Sequence, residues 1–244
     1  MGYTRRIWSV LVLACSIIIL VAGCKRTPTP QVMNYPQPTI RVNLDAPWEQ
    51  GCPRDESTGG CVEDSFLWGL GCENIQPPGD LIGALSPNLP INLCLARREP
   101  GKGLSEDVYL YREGCRVQSY VRYVIYRDGE FEVLQSQADL GNVFSPIDTP
   151  DEALSYAIAS TGNGVRYGLE PVNDYRYFVD ELKDTNVVEI DDGYQVLLFD
   201  YELCGCGPHT TFAVELRVSR DGDVNEISRQ GVYEDPTEDD LCVD

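Results

Sequence analysis

The chain has little of the chemistry that enzymes most often use. Its 244 residues include a single histidine, His209. The sequence contains no G-x-S-x-G motif, no glycine-rich phosphate loop, no G-x-G-x-x-G and no H-E-x-x-H. These absences exclude the usual signatures of α/β-hydrolases, nucleotide-binding proteins and zinc proteases. Catalysis by a carboxylate pair stays open, because none of the 39 acidic residues is singled out by a pattern.

Positive charge is also scarce. Nineteen Lys and Arg residues oppose 39 Asp and Glu residues, which gives a net charge of -20. The first 23 residues hold Arg5 and Arg6 and no acid, so the remainder carries -22. A field of this sign repels phosphates, and we therefore expect no nucleic-acid partner. The 43% content of hydrophobic residues is sufficient for a buried core.

Apolar runs of any length are confined to the start of the chain. Residues 7–21 are uncharged and mostly apolar, and they are fewer than the roughly 20 residues that a membrane-spanning helix needs. The run closes with Val21-Ala22-Gly23-Cys24. This tetrapeptide resembles the lipobox of bacterial lipoproteins, although leucine is commoner where Val21 stands. An uncleaved transmembrane anchor is the alternative, and either one attaches the protein to a membrane.

The lipobox resemblance implies a location for the whole protein. Residues 1–23 would be a signal peptide, and Cys24 would carry the lipid, palmitate included, as the first residue of the mature chain. The protein would then be anchored to the cell membrane or the outer membrane, with its domain on the non-cytoplasmic side. Residues 24–38 follow, and four prolines among them predict an extended tether that holds the domain away from the bilayer.

The cysteine count agrees with export. Of ten cysteines, Cys15 lies in the leader and Cys24 is the proposed lipid site, which leaves an even number. An even count in an exported protein predicts disulfides, whose pairing the sequence does not determine, since eight cysteines allow 105 connectivities. The candidates are Cys52, Cys61, Cys72, Cys94, Cys115, Cys204, Cys206 and Cys242.

The mature domain divides into two sections by composition. Residues 39–104 are rich in Gly, Pro and Cys and predict a loop-rich, disulfide-stapled section, with strands at residues 40–44 and 91–96. Trp48 and Trp68 are expected to cover part of its core, with carbohydrate stacking as the alternative. Residues 105–244 are more regular, and we expect the two sections to form one compact unit.

Three Asp-Gly pairs organise the second section. Asp128-Gly129, Asp192-Gly193 and Asp221-Gly222 each separate two runs of β-branched and aromatic residues. Such pairs are strong hairpin signals, because glycine accepts the positive φ of a tight turn. The three units predict an antiparallel meander.

One helix is predicted within the second section, at its Thr149-Pro150-Asp151-Glu152 sequence. This sequence combines an N-cap hydroxyl, an early proline and a capping carboxylate. The fold expected is therefore α+β: an antiparallel β meander with one packed helix, preceded by a disulfide-rich irregular section. Residues 173–182 fit helix and strand equally, and Cys242 suggests that a disulfide pins the acidic tail.

Cys204, Cys206 and His209 are the most unusual candidate site. A zinc or copper ion bound by all three is one interpretation, a redox pair of the two cysteines another, and a cysteine nucleophile activated by histidine a third. Each departs from the usual spacing or lacks a further partner in sequence. The structural alternative is that both cysteines bridge to distant cysteines and that His209 is a turn residue.

These observations favour a lipid-anchored, exported cell-envelope protein. Its domain would have a non-catalytic binding or structural role, with no cofactor and with an unidentified envelope or extracellular ligand. The alternative function is an exported metal or redox factor, or an enzyme, centred on Cys204, Cys206 and His209.

Overall fold

The computed structural model describes residues 29–97 and 103–244. The predicted signal peptide, the lipobox and residues 24–28 of the predicted tether lie outside the described residues. The described part contains four α-helices: α1 (Trp48–Gly51), α2 (Phe66–Gly69), α3 (Gln137–Phe144) and α4 (Pro150–Thr161). Its strands are β1 (Gln31–Met33), β2 (Cys72–Gln76), β3 (Ile91–Ala96), β4 (Tyr111–Glu113), β5 (Ser119–Arg127), β6 (Glu130–Leu134), β7 (Arg176–Tyr177), β8 (Glu181–Lys183), β9 (Asn186–Ile190), β10 (Gly193–Tyr201), β11 (Gly205–Cys206), β12 (Thr210–Ser219), β13 (Val224–Glu234) and β14 (Cys242–Val243).

Two antiparallel sheets form the framework. In the first sheet, β2 pairs with β3 and β3 with β5, while β4 and β6 share the opposite side of β5. The second sheet has the order β7-β13-β12-β10-β9. Two small pairs complete the structure, β1 with β8 in parallel and β11 with β14 in antiparallel. The α+β class is confirmed, with a strong bias towards strands.

The domain is built in layers. A central core takes side chains from one face of each sheet, including Tyr123 and Val214, and from both longer helices. A first-sheet cluster, defined by Leu67, Val124 and the two disulfides nearby, covers the other face of the first sheet. An outer cluster lies on the other face of the second sheet and contains four buried side chains: Tyr177, Leu182, Phe199 and Val232. Because successive strand residues face opposite sides, Tyr123 and Val124 point into different clusters.

All three predicted hairpins are present, but they do not form one meander. The turn at Asp128-Gly129 joins β5 to β6 in the first sheet, where both residues have positive φ values of 56° and 88°. The other two turns join β9 to β10 and β12 to β13 in the second sheet. The hairpin signals are local, so they gave no information about how the hairpins divide between sheets.

The predicted helix is α4, whereas α3 and the two short helices α1 and α2 are additional to the prediction. The Thr149 hydroxyl accepts a hydrogen bond from the Glu152 amide, and the Glu152 carboxylate accepts one from the Thr149 amide. Gly162 ends α4 in the left-handed conformation. The preceding helix α3 has the same kind of cap, formed by Ser136 and Asp139. This cap was a readable sequence signal. The prediction of one packed helix is therefore wrong, because α3 also packs its apolar side chains into the central core.

The described part of the predicted tether is bound to the domain. The β1 strand pairs with β8, and Pro30 is buried. The strand predicted at residues 40–44 is absent, and the backbone there makes single contacts, such as the hydrogen bond from the Ile91 amide to the Asn43 carbonyl. Prolines at positions 30, 36 and 38 favour extended backbone, and extended backbone can pack on a surface as readily as it can span solvent.

Four disulfides connect the described domain. Cys52 pairs with Cys61 and Cys72 with Cys94 inside the cysteine-rich section. The other two, Cys115–Cys204 and Cys206–Cys242, link segments far apart in sequence. Among the described residues, no helix combines the length and apolar character required to span a bilayer.

Candidate functional site

The structure places Cys204, Cys206 and His209 in one loop region but gives them separate structural tasks. Cys204 is bonded to Cys115 and Cys206 to Cys242, so the two do not form a redox pair with each other. Disulfide sulfurs are not thiolates, and thiolate is the form that binds metal or attacks a substrate. Within residues 29–97 and 103–244, no group of three or more His, Cys, Asp or Glu is arranged to hold a metal ion.

His209 is a buried clamp for the acidic tail. Its side chain is nearly inaccessible to solvent, with a relative exposure of 2%. The Nδ1 atom lies 3.0 Å from the Glu202 carbonyl oxygen, and Nε2 lies 3.1 Å from the Leu241 carbonyl oxygen. The ring therefore bridges the end of β10 to the tail, next to the Cys206–Cys242 disulfide. The expectation of a simple turn residue was wrong, because distant backbone encloses the ring.

We expect the substitution His209→Ala to lower the free energy of unfolding by about 1–3 kcal/mol, because it removes a buried ring together with the hydrogen bond that the ring N–H donates to one of the two carbonyl oxygens. It should also speed protease cleavage within the tail. Glu202→Gln is the control, since the clamp uses the backbone carbonyl of Glu202 and its side chain is exposed. Urea unfolding and limited proteolysis of both variants measure the effect. An unchanged His209→Ala variant would show that the disulfide alone holds the tail.

A groove crosses the outer face of the second sheet. It has a volume of about 670 Å³. Its lining mixes apolar with polar side chains, which come from β8, from Tyr35 after β1 and from strands of the second sheet. The lining includes Tyr35, Phe178, Val188, Gln195, Leu197 and Glu215. We call this surface the outer groove.

Glu215 lines the outer groove and accepts hydrogen bonds from both neighbouring strands. Gln195 on β10 donates a hydrogen bond from Nε2 to its Oε1 atom, and the Ser228 hydroxyl on β13 donates to its Oε2 atom at 3.3 Å. Three adjacent strands thus place an amide, a carboxylate and a hydroxyl in a row. Leu197 and Val188 add apolar surface beside the row. This combination can bind a polar ligand by hydrogen bonds and an apolar contact.

Two smaller clefts lie in the cysteine-rich section. One, of about 540 Å³, is lined by Trp48, Arg54 and Asn92 among others, and the Asn92 Oδ1 atom has no hydrogen-bond partner within the described residues. Trp48 itself packs against Phe131 with ring centroids 5.5 Å apart. Trp68 lines the other cleft, of about 400 Å³. Both tryptophans are half-buried against the first-sheet cluster, as the core-cover interpretation predicts.

Asp184 is the most heavily bonded carboxylate of the second section. It is fully buried and accepts hydrogen bonds from the Gly168 amide at 2.9 Å and the Leu169 amide at 3.0 Å. Asn34 Nδ2 and the Tyr35 amide, both at 3.2 Å, donate from the chain that follows β1. Burial by itself would raise the pKa of Asp184, but these hydrogen bonds hold it below its usual value.

Comparison with known proteins does not assign the chain to a family. No protein-family model matches this chain, and no curated protein or solved structure is similar to it.

The sequence did not reveal the outer groove or the role of Asp184. Gln195 and Glu215 alternate with apolar residues on their strands, which is the pattern of any solvent-facing sheet surface. Asp184 follows β8 as one acidic residue among many. No signal in the sequence distinguished either residue, because both act through neighbours far away in the chain.

Proposed function

We propose that the protein is a lipid-anchored, exported cell-envelope protein with a non-catalytic binding role. The observation that carries the proposal is the disulfide set: each of the eight cysteines after Cys24 is paired. Four disulfides require an oxidising compartment, which bacteria provide outside the cytoplasm. The leader would direct export, and the Val21-Ala22-Gly23-Cys24 sequence at its end would provide the site of the lipid anchor.

The outer groove supports binding as the role of the domain. Its row of amide, carboxylate and hydroxyl groups is held by three paired strands, so the groups are positioned before any ligand arrives. Preformed sites of this kind avoid part of the entropic cost of ordering side chains on binding. The ligand would be a polar molecule of the envelope or its surroundings.

The alternative function, a metal or redox factor or an enzyme centred on Cys204, Cys206 and His209, has less support. It would require the Cys115–Cys204 and Cys206–Cys242 bonds to open and His209 to leave its buried position between the Glu202 and Leu241 carbonyls. No contact in the described residues favours that rearrangement.

Lipidation of Cys24 is testable in a bacterial host that processes lipoproteins. In cells fed labelled palmitate, the native chain should incorporate label and sediment with membranes. The variant Cys24→Ser should lose the label, because serine has no thiol for the lipid. Cys15→Ser is the matched control: it removes the other leader-region cysteine and should leave labelling unchanged. Equal labelling of the native chain and the Cys24→Ser variant would overturn the proposal.

A further inference from the structure

The chain between the proposed lipid and the folded domain is short. Thr29 is the first described residue, and the Gln31 amide already donates to the Asp180 carbonyl at 2.9 Å. Five residue steps separate Cys24 from Thr29. Fully extended, they span at most about 18 Å.

This reach is small compared with the domain. A domain of about 200 residues has a radius of gyration near 17 Å and is therefore about 40 Å across. A connection of less than half that width does not allow the domain to turn over on its anchor. The surface around Thr29 must then stay within about 18 Å of the lipid headgroups.

The β1 strand is bound to the domain and therefore does not lengthen the connection to the lipid. Its three residues pair with β8, and Val32 packs against the outer cluster. Immediately after β1, Asn34 and Tyr35 are bound to the buried Asp184 carboxylate. Releasing the segment to lengthen the connection would break these contacts together.

The β1 strand and the chain that leads into β8 expose apolar side chains near Thr29. Phe178, two residues before Asp180, is 51% exposed although its amide is bonded to the Val232 carbonyl at 3.0 Å. Met33 and Val172 are 39% and 44% exposed. Exposed apolar side chains such as phenylalanine can enter the boundary between the lipid headgroups and the acyl chains.

We propose that the anchored domain lies on the bilayer with this surface, the anchor face, against the headgroups. The anchor face is defined by the exposed side chains of Met33, Val172 and Phe178. The inference rests on the proposed lipidation of Cys24 and deepens it, because it gives the domain one orientation at the membrane.

The charges around the anchor face show that the connection, not electrostatic attraction, sets the orientation. Its basic groups are engaged: Arg176 pairs with Glu234 at 3.1 Å and also with Asp239, and Lys183 lies 3.6 Å from Glu181. Asp174 and Asp180 are exposed acids beside them. An acidic surface gains nothing from anionic lipid, so contact should not need it.

The orientation also locates the outer groove. Phe178 belongs both to the anchor face and to the groove lining, and Tyr35 lines the groove just after β1. The groove therefore opens beside the bilayer. Its ligand is a polar group presented at the membrane surface, such as the headgroup region or a molecule lying on it.

Tryptophan quenching tests the orientation with the lipidated full-length mature protein. The protein is reconstituted in phosphatidylcholine vesicles that contain a nitroxide-labelled phosphatidylcholine, with the label close to the headgroup. In the variant Phe178→Trp, the added emission above that of Trp48 and Trp68 should be quenched. Phe66→Trp is the matched control, because Phe66 is 57% exposed and packs on Phe131 at the opposite side of the domain. Its added emission should not be quenched.

A lengthened connection is the second arm. A twenty-residue Gly-Ser insertion after Pro28 adds an average span of about 25 Å, which frees the domain to rotate. The lipidated insertion variant should still bind vesicles but should lose the preferential quenching at Phe178→Trp.

The outcomes separate the two proposals. Absence of lipid and of vesicle binding would refute the proposed function and the orientation with it. Vesicle-bound protein with equal quenching at both positions would refute the orientation alone. Unquenched Phe178→Trp in a protein that sediments as a dimer would show that a second copy covers the anchor face, which also refutes it.

Discussion

Replacing Cys115 and Cys204 together by serine is expected to lower the free energy of unfolding by about 4–5 kcal/mol. The two residues are 89 positions apart, and a cross-link stabilises mainly by removing loop-closure entropy from the unfolded chain. For a loop of this length the entropic estimate is about 4.6 kcal/mol. No other disulfide divides the loop. In the folded domain the bond joins the end of β4 in the first sheet to the end of β10 in the second.

The matched control removes a disulfide that closes a much shorter loop. Cys52 and Cys61 are nine positions apart, and the same relation gives about 2.6 kcal/mol for their double serine variant. Urea unfolding of both oxidised variants beside the native domain provides the comparison. The long-loop variant should unfold at the lower urea concentration. Equal losses, or a larger loss for the Cys52 and Cys61 variant, would contradict the prediction.

The substitution Asp184→Asn should cost about 3 kcal/mol or more of unfolding free energy. The carboxylate accepts four hydrogen bonds while fully buried. Hydrogen bonds to a charged group contribute about 1.5–3 kcal/mol each, and an amide has one acceptor oxygen where the carboxylate has two. The new NH₂ group would face backbone amides that are themselves donors. Loss of the Asn34 and Tyr35 contacts should also loosen the chain that leads to the proposed lipid anchor.

The effect of Asp184 should depend on pH in a defined direction. Its folded-state pKa is lowered, so the folded protein binds fewer protons than the unfolded chain as the carboxyl titrates. The stabilisation is therefore complete above the unfolded value of about 3.9 and is lost as pH falls through the lower folded value. The gap in stability between the native protein and Asp184→Asn should be largest near neutrality and should shrink in acid.

Asp180→Asn controls for the loss of one negative charge in the same region. Asp180 is exposed, and its backbone carbonyl makes the contact with Gln31. Urea unfolding at several pH values should leave this variant near the native curve. If Asp184→Asn behaves like Asp180→Asn at neutral pH, the proposed network does not hold the β1 segment.

Local sequence signals predicted several elements correctly. The capping box at Thr149 and Glu152 placed α4, and the Asp-Gly pairs placed three hairpins, because each device is complete within a few residues. Residues 91–96 were predicted as a strand and form β3. The strand predicted at residues 40–44 is absent. Alternating half-buried side chains occur both in a paired strand and in a chain that lies on a surface without pairing, so the pattern did not separate the two.

The candidate site was much less accessible to sequence reasoning. Cys204 and Cys206 stood out by spacing, yet their partners Cys115 and Cys242 lie in other elements, and 105 pairings were open. The His209 ring lies between two backbone carbonyls, which have no residue-specific signature. Gln195 and Glu215 form part of a groove only because β10 and β12 pair in one register.

The fold class, the hairpins, the α4 cap, the acidic charge and the expectation of export and disulfides follow from the amino-acid sequence alone. These properties depend on composition or on groups within one turn or one strand. The division into two sheets, the disulfide partners, the position of His209 and the binding of residues 30–35 to the domain depend on contacts between distant parts of the chain. Asp184, for example, accepts hydrogen bonds from donors at positions 34 and 168, and only the folded chain brings these donors within hydrogen-bonding distance.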